Sequence, residues 1–299
     1  MNNAPLRSTV LITSKNRRED LATAVKSALS QDANPEVIVI DDGSTDGTSE
    51  MIRNLFPEVR LFSYSDSAGL IKRRNEGTRL ASGDIIFSLD DDAVYSSPDT
   101  VASALKEFNS DSIGAIALPF IDVRKSPEIK QKPYDALRTW LTFGFVGTAY
   151  AVRKDVFLTV GGFNEYLFHQ GEEMDFSIRM MEQNKYVKLA STPPVFHFES
   201  PRRDFKRMDI FGRRNDIIFS WINVPAPWLA PHLLMTLWNG IRHGFRTKRV
   251  KNMCAGLFRG LRACIDPACV RRPVQSKTYL LFRRLKKRPI EISAALART

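Results

Sequence analysis

The sequence of 299 residues is poor in cysteine and has no long apolar run. Its cysteines, Cys254, Cys264 and Cys269, all lie in the last third without a Cys-x-x-Cys pair, so neither a disulfide framework nor a zinc site is indicated. No apolar stretch reaches the roughly 18 to 20 residues that a membrane-spanning helix needs. The first eight residues lack the pattern of a signal peptide. We therefore expect a cytoplasmic protein.

Acidic residues are scarce in the C-terminal third. Residues 200–299 contain 22 Lys and Arg against 5 Asp and Glu, a net charge of +17, whereas residues 1–199 contain 22 against 28, a net charge of −6. A block this basic contacts an anionic membrane or nucleic acid, or forms a solvated face. Because it lacks a nucleic-acid-binding motif and the rest of the chain is acidic, we expect no nucleic-acid partner.

Apolar runs and helical patterns alternate along the first half of the chain. Strands are predicted at 9–13, 37–40, 59–62 and 85–89, and helices over 21–29, from about 49, and over 70–80. This order is typical of a doubly wound, mostly parallel α/β sheet with helices on both faces. Further on, the patterns predict a strand at 113–118, a mobile acceptor-side loop at 122–133, a helix at 172–183 and closing strands at 187–189 and 195–197.

The strand at 85–89 runs directly into Asp90, Asp91 and Asp92. In α/β proteins, sites lie at the carboxyl edge of the sheet, where this strand ends. Neighbouring carboxylates repel by roughly 1 kcal/mol per pair in water at about 4 Å, so three together require a cation. Alternation places Asp90 and Asp92 on one face, as hard oxygen ligands suited to Mg²⁺ or Mn²⁺. The alternative is a solvated acidic turn that caps a helix.

Apolar residues recur at three- and four-residue steps between residues 232 and 265. They are Leu234, Trp238, Ile241, Phe245, Met253, Leu257, Leu261 and Cys264, with Arg and Lys residues between them. This pattern fits a helix on a membrane surface, where each cation adds about 1 kcal/mol near anionic lipid. It fits equally a helix that packs on its own domain and exposes a basic side.

Six segments resemble, in order, those of glycosyltransferase family 2, which contains nucleotide-sugar-dependent enzymes of the GT-A fold. They are VLITSKNR (10–17), VIDDGSTD (39–46), RNEG (74–77), LDDD (89–92), GGFNE (161–165) and GEEMD (171–175). The resemblance covers residues 9 to about 200. It implies a nucleotide-sugar-binding half over residues 1–110 and an acceptor-binding, catalytic half over residues 111–200. A basic helical C-terminal extension follows over residues 201–299.

For the donor site, the resemblance implies that Thr13, Asn16 and Arg17 line the nucleotide pocket. It implies also that Asp42, or its neighbour Asp41, accepts a hydrogen bond from the base. The alternative is that both aspartates only cap the helix that follows them.

For the diphosphate, the resemblance implies that Asp92 is the direct metal ligand, while Asp90 and Asp91 contact ribose or metal-bound water. His197 stands where several relatives supply a further metal or diphosphate ligand, although a histidine at a strand end is often structural. Arg74 can pair with diphosphate oxygens through its guanidinium, or it is an exposed helix charge.

For the acceptor, Glu172, Glu173 and Asp175 occupy the position of the family's Glu-Asp pair. The resemblance implies that the second acid of that pair, here Glu173, is the general base. The alternative is that Glu172 and Asp175 serve the N-terminus of the helix, where negative charge is favoured.

We therefore expect a metal-dependent inverting glycosyltransferase that moves a sugar from a nucleoside-diphosphate-sugar to a hydroxyl of a lipid-linked or cell-surface glycan. An anionic membrane surface on the inner face of the cell membrane is a further expected partner, through the basic tail. Two alternatives are a catalytically silent nucleotide-sugar or glycan-binding protein and a sugar-phosphate nucleotidyltransferase. A nucleotidyltransferase is disfavoured because no Gly-rich strand-to-helix turn opens the chain.

Overall fold

A computed structural model describes residues 5–200 and 204–297 of the chain. Its strands are Ser8–Ser14 (β1), Glu36–Asp41 (β2), Arg60–Ser63 (β3), Ile85–Asp90 (β4), Ala93–Tyr95 (β5), Ile113–Ala117 (β6), Phe120–Asp122 (β7), Trp140–Thr142 (β8), Ala149–Arg153 (β9), Tyr186–Leu189 (β10), Val195–His197 (β11) and Ile290–Glu291 (β12). Its α-helices are Arg18–Leu29 (α1), Thr48–Leu55 (α2), Leu70–Leu80 (α3), Thr100–Lys106 (α4), Lys154–Val160 (α5), Glu172–Glu182 (α6), Phe205–Asn223 (α7), Ala226–Thr247 (α8), Val250–Ala263 (α9), Ser276–Lys287 (α10) and Ile292–Leu296 (α11).

Nine of the described strands form the main sheet, in the order β12-β8-β10-β6-β9-β4-β1-β2-β3. The pairs β1·β2, β1·β4, β2·β3 and β6·β10 are parallel, whereas β9 runs antiparallel between β4 and β6. Alternate residues of β1 enter two different cores: Val10 packs with Leu21 of α1, and Leu11 packs with Ile71 of α3. The prediction of a doubly wound, mostly parallel sheet with helices on both faces is confirmed.

The carboxyl ends of β1, β2 and β4 meet at one edge of this sheet. The register sets Thr13 beside Asp90 and Ser14 beside Asp41. Because β1 lies between the other two strands, the acids that follow β2 and β4 reach the same edge from both sides.

A small second sheet, β5-β11-β7, extends this edge. β11 pairs with β5 in antiparallel and with β7 in parallel orientation, so that His197 lies between Ala93 and Asp122. The predicted acceptor-side loop therefore begins one residue later than expected, because Asp122 is the last residue of β7. Lys130 then returns to Phe120 through two backbone hydrogen bonds, 3.1 and 2.8 Å long.

The C-terminal third packs on the rest of the chain. α10 contacts α6, α7 contacts α6 and α9, and β12 joins the main sheet as an edge strand beside β8. Residues 1–4, 201–203 and 298–299 lie outside the described part, and so does the predicted boundary after residue 200. The three-part division of the chain stays a prediction. In the two described ranges, every helix is too short or too polar to cross a membrane.

Candidate active site

The three consecutive aspartates at the end of β4 each face a cation. Asp90 Oδ1 accepts from Arg74 Nη2 at 2.6 Å. Arg17 Nη1 lies 3.1 Å from Asp91 Oδ1 and 3.0 Å from Asp92 Oδ2. The sheet edge therefore gathers three carboxylates that would otherwise repel one another, and two guanidiniums offset part of their charge.

Asp91 and Asp92 differ in their environments. Burial raises the pKa of Asp91 to about 7, although Arg17 and a 2.7 Å hydrogen bond from Ser14 Oγ oppose the change. Burial also acts to raise the pKa of Asp92, but His197 and Arg17 outweigh it and hold that pKa below its usual range. Asp92 is thus the acid of the two that is stabilised in its charged form.

Asp92 is held next to His197, whose ring lies between two acids. His197 Nε2 is 3.3 Å from Asp92 Oδ1, and Nδ1 is 2.7 Å from Asp122 Oδ1. One ligand atom from each of Asp90, Asp92 and His197 lies within 4.8 Å of the others. A carboxylate on the far ring nitrogen is the usual way of orienting a metal-binding histidine. Two carboxylates with one imidazole therefore fit a divalent cation such as Mn²⁺ or Mg²⁺.

Asp122 is a site residue that the sequence analysis missed. It accepts from His197 and forms an ion pair with Lys130. The sequence pattern predicts a loop that begins at Asp122, yet the run Phe120-Ile121-Asp122 repeats in short form the pattern of apolar residues followed by an acid that marks β4. That repeated pattern is the signal that could have identified it.

Arg74 connects the aspartates to the acids of α6. Its side chain is 2% exposed, so the alternative of an exposed helix charge is wrong. Nη2 donates to Asp90 and to the carbonyl of Gly147, at 2.6 and 3.0 Å. Nη1 lies 3.6 Å from Glu172 Oε1. A buried guanidinium between two acidic groups is rigidly positioned to meet a further anion.

Glu172 and Glu173 stand at the first turn of α6. Burial raises the pKa of both carboxyls; the neighbouring charge of Glu173 adds to the rise for Glu172, while Arg74 opposes it for both. Glu172 is 3% exposed, and its Oε2 has no hydrogen-bond partner among the described residues. A carboxyl with a raised pKa is suited to hold a proton taken from a hydroxyl.

Gly147 is a second residue that the sequence analysis did not single out. A Cβ at this position would lie 2.7 Å from Arg74 Nη1 and 2.8 Å from Glu173 Oε1. Any larger residue would therefore displace one of those two groups. Its carbonyl also accepts from Ser88 Oγ at 3.1 Å, which ties the backbone at residue 147 to β4.

Asp175 is not brought to this centre. It is buried, and its carboxylate accepts from Arg179 Nη2 and from Asn223 Nδ2, both at 2.8 Å. These contacts join α6 to its own next turn and to α7. These partners give Asp175 a role in the packing of α6 and α7.

The loop before α6 is held by the C-terminal third. Asn215 of α7 donates through Nδ2 to the carbonyls of Leu167, His169 and Gln170, at 2.9, 2.8 and 2.7 Å. Gly171 then adopts a left-handed conformation with φ of 87° and starts the helix. The position of Glu172 and Glu173 therefore depends on a residue outside the segment that carries the sequence resemblance.

The predicted nucleotide residues lie around the other side of the aspartates. Asn16 joins two loops, because its N–H donates to Ser44 Oγ at 2.9 Å and its Oδ1 accepts from the N–H of Thr45 at 2.8 Å. Asn16 and Arg17 line an open cavity of about 790 Å³. Thr13 is adjacent to Asp90 across the sheet.

Asp41 and Asp42 are both engaged within the chain. Asp41 accepts from the N–H of Ser44 at 2.9 Å and from Ser49 Oγ, next to the start of α2. Asp42 accepts from Ser67 Oγ, the N–H groups of Ala68 and Gly69, and Arg73 Nε, at 2.6 to 3.0 Å. A hydrogen bond from a nucleotide base would compete with these donors, so base recognition by either residue stays a prediction.

A comparison with known families identifies the family of this chain. The model of the family "Glycosyl transferase family 2" matches residues 9–165, which is more than half of the chain and includes the three aspartates. The chain belongs to glycosyl transferase family 2. The predicted resemblance is confirmed.

Among curated proteins, the chain is similar to a hyaluronan synthase of Pasteurella multocida, with 37% identity over 115 residues. That match covers 37% of this chain and 12% of the synthase. It is also similar to a glucosyl-dolichyl phosphate glucuronosyltransferase of Haloferax volcanii, with 26% identity over 193 residues, covering 57% of this chain and 61% of the relative. The chain thus spans less than two thirds of either relative.

Two solved structures share the fold. One is the mannosyltransferase PcManGT from Pyrobaculum calidifontis, in complex with GDP-Man and Mn²⁺ (TM-score 0.60, 19% identity, 99% of this chain and 86% of that one). The other is residues 1–349 of TarS from S. aureus, in complex with UDP-GlcNAc (TM-score 0.60, 14% identity, 94% and 88%). At these identities the likeness establishes the GT-A fold, which confirms the predicted fold class.

Proposed function

We propose that this family 2 protein transfers a sugar from a nucleoside-diphosphate-sugar to a hydroxyl of an acceptor. The observation that carries the proposal is the position of Arg74, which links Asp90 on the donor side to the buried acids at the start of α6. Groups for a departing diphosphate and groups for an attacking hydroxyl thus lie on either side of one guanidinium. A binding protein without activity would have no use for the second set.

The proposed donor side is the edge formed by Asp90, Asp92 and His197. These residues would hold Mn²⁺ or Mg²⁺, with Asp122 orienting His197. When bound, the cation would supply positive charge for the two phosphates of the donor. The PcManGT complex with GDP-Man and Mn²⁺ supports a nucleotide sugar and a divalent metal.

On the same side, Arg17 and Arg74 act through their fixed charges. Arg74 is buried and already oriented by Gly147 and Asp90, so it needs little rearrangement to stabilise charge that develops on the leaving diphosphate. Arg17 contacts Asp91 and Asp92, and its guanidinium can turn toward a phosphate that enters the open cavity beside it.

On the acceptor side, Glu173 acts as the general base. It takes the proton of the acceptor hydroxyl while the oxygen forms a bond to the anomeric carbon, and the bond from that carbon to the diphosphate oxygen breaks with both electrons. A single displacement of this kind inverts the configuration at the anomeric carbon. Glu172 is a second, buried carboxyl beside Glu173. Because burial and the repulsion between the two negative charges disfavour ionisation, the pair has a raised affinity for the proton.

The acceptor is proposed to be a lipid-linked or cell-surface glycan at an anionic membrane. α8 carries an exposed apolar face, formed by Leu234, Met235, Trp238 and Phe245. Exposed arginines Arg242 and Arg246 lie beside this face. Apolar side chains next to cations are suited to the surface of an anionic bilayer. The Haloferax volcanii relative, named for a glucosyl-dolichyl phosphate, also supports a lipid-linked acceptor.

The test is a donor screen on the full chain. The protein is incubated with Mn²⁺ and individual UDP- and GDP-sugars, and release of the nucleoside diphosphate is followed with and without EDTA. We expect one donor to be consumed, more rapidly when a suitable acceptor is added, and EDTA to stop the release. Tight binding of a donor without any release, with all acceptors tried, would favour the silent binding protein instead.

A further inference from the structure

A second cavity lies among the C-terminal helices, separate from the aspartates of the sheet edge. It has a volume of about 420 Å³ and is enclosed by residues of α6, α7, α8 and α10. Part of its lining is apolar, with Met174, Phe219, Met235 and Phe282. We call it the C-terminal pocket.

The charged residues that line the C-terminal pocket are unbalanced in sign. Four are cations, Arg213, Arg283, Lys286 and Lys287, and one is an acid, Asp216. Arg213 Nη2 lies 2.9 Å from Asp216 Oδ2, so that the single acid is already in an ion pair. The remaining three cations give the pocket a surplus of positive charge.

Two of these cations rest against neutral groups. Arg283 Nη1 donates to the Tyr279 hydroxyl at 3.0 Å, and Lys286 Nζ lies 3.5 Å from Met174 Sδ. The surplus charge also acts on His232, which lines the same pocket. Burial lowers the pKa of His232 to about 4, and the charges of Arg283 and Lys286 contribute to that decrease. A positive potential of this kind favours an anion.

The C-terminal pocket adjoins the two regions that we propose to contact the acceptor, the start of α6 and the apolar face of α8. Met174 follows Glu173 directly in the first turn of α6. Met235, which also lines the pocket, belongs to the exposed apolar face of α8. The C-terminal pocket therefore lies between the acids of α6 and the surface proposed to meet the membrane.

We infer that the C-terminal pocket binds a phosphate group carried on an apolar chain, as in an amphiphilic acceptor. Guanidinium and ammonium groups bind phosphate oxygens through charge-assisted hydrogen bonds. The phenylalanines and methionines of the lining offer apolar surface to the chain that carries the phosphate. A neutral sugar would use neither feature. The inference rests on the proposed function and adds the chemical class of the acceptor.

The test uses octyl phosphate, inorganic phosphate and octanol as probes below the concentration at which micelles form, with binding measured by calorimetry. The double variant R283Q/K286Q removes two exposed cations that line the pocket. K251Q/R259Q is the matched control, since it removes two exposed cations of α9 outside the pocket. We expect octyl phosphate to bind more tightly than either inorganic phosphate or octanol. We expect it to bind at least about tenfold more weakly to R283Q/K286Q, because charge-assisted hydrogen bonds are lost, and with nearly unchanged affinity to K251Q/R259Q.

Three results would overturn the inference: no binding of octyl phosphate, equal weakening in both double variants, or octanol binding as tightly as octyl phosphate. A nucleoside diphosphate with Mn²⁺ is titrated into the same proteins as a separate arm. Its affinity should be the same in R283Q/K286Q as in the unchanged protein, because the pocket lies apart from the sheet edge. Loss of nucleotide binding by the unchanged protein would contradict the proposed function, and would leave the octyl phosphate result to be judged by itself.

Discussion

The acidic edge of the sheet and the basic C-terminal helices differ in how far their charges are paired with opposite charges. At the edge, Asp90, Asp91 and Asp92 are each within about hydrogen-bond distance of an arginine, and the groups are largely buried. The C-terminal third has 22 Lys and Arg for 5 Asp and Glu, and part of the excess lines the C-terminal pocket. The charges of the edge are thus fixed in ion pairs, whereas most of the charge of the C-terminal third is positive and is not balanced by acids.

The two regions are nevertheless coupled. Asn215 of α7 holds the loop that leads to Glu172, and Asn223 of the same helix binds Asp175. The C-terminal helices therefore position the acids of α6 as well as offering charge to the surroundings. Substitutions in one region therefore show how far the other depends on it.

The largest effect is expected at the acidic centre, from E173Q. The amide keeps the shape of the carboxylate but cannot take a proton, so turnover should fall by about 10² to 10⁴, the range for a general base. Donor binding should stay unchanged, because the aspartates of the sheet edge are intact. Steady-state rates and calorimetric titration of the donor measure the two quantities.

The matched control for E173Q is E172Q, which removes the neighbouring carboxylate. It should retain measurable turnover. If E172Q were inactive and E173Q active, the base would be Glu172, and the assignment would be displaced by one residue.

A smaller effect, on stability, distinguishes α8 from α9, which share the apolar residues that recur between residues 232 and 265. Met253 of α9 is 1% exposed, whereas Trp238 of α8 is 61% exposed. M253A should lower the free energy of unfolding by about 2 to 5 kcal/mol, because it leaves a cavity. W238A should change it by no more than about 0.5 kcal/mol. Urea denaturation measures both, and similar losses in the two variants would mean that the apolar face of α8 is covered in solution.

The smallest effect is expected in membrane binding. Flotation with liposomes should show binding that rises with anionic lipid and weakens with salt, because the arginines of α8 act through screened charge. W238S/F245S should reduce the bound fraction several-fold, since electrostatics alone does not insert side chains. L137S, at a residue that is 95% exposed and outside the C-terminal third, is the control. Absence of binding to anionic liposomes at low salt would leave the basic helices as a packed extension of the domain.

The positions of residues at the ends of strands could be predicted from the sequence. The apolar runs of β1, β2 and β4 predict strands of a mostly parallel sheet, and the run at 85–89 predicts that the three aspartates lie at its carboxyl edge. The helical spacing of the apolar residues between 232 and 265 predicts a helix, which the structure breaks at Lys248 into α8 and α9. The sequence leaves open whether this helix lies on a membrane or packs on its own domain. In the structure, Met253 and Leu257 of α9 are buried, whereas the apolar face of α8 is exposed.

The remaining residues depend on contacts between distant segments. Arg73 and Arg74 follow Lys72 in what reads as an exposed basic run, yet both arginines are buried because Asp42 and Asp90 pair with them. Asn215 acts on carbonyls 45 to 48 residues away in the chain. β12 is two residues long, too short for periodicity to detect, and is stabilised by its pairing with β8. Side-chain type and spacing do not encode such partners.

We propose that Asp90, Asp92 and His197 hold a divalent cation that binds the donor diphosphate. Calorimetric titration of the matching nucleoside diphosphate, with and without Mn²⁺, tests it in the unchanged protein and in D92N, which keeps the shape of the side chain and removes its charge. Mn²⁺ should strengthen binding at least about tenfold, or about 1.4 kcal/mol, in the unchanged protein and have little effect in D92N. Equal strengthening by Mn²⁺ in D92N, with the fold intact by circular dichroism, would show that Asp92 does not hold the cation.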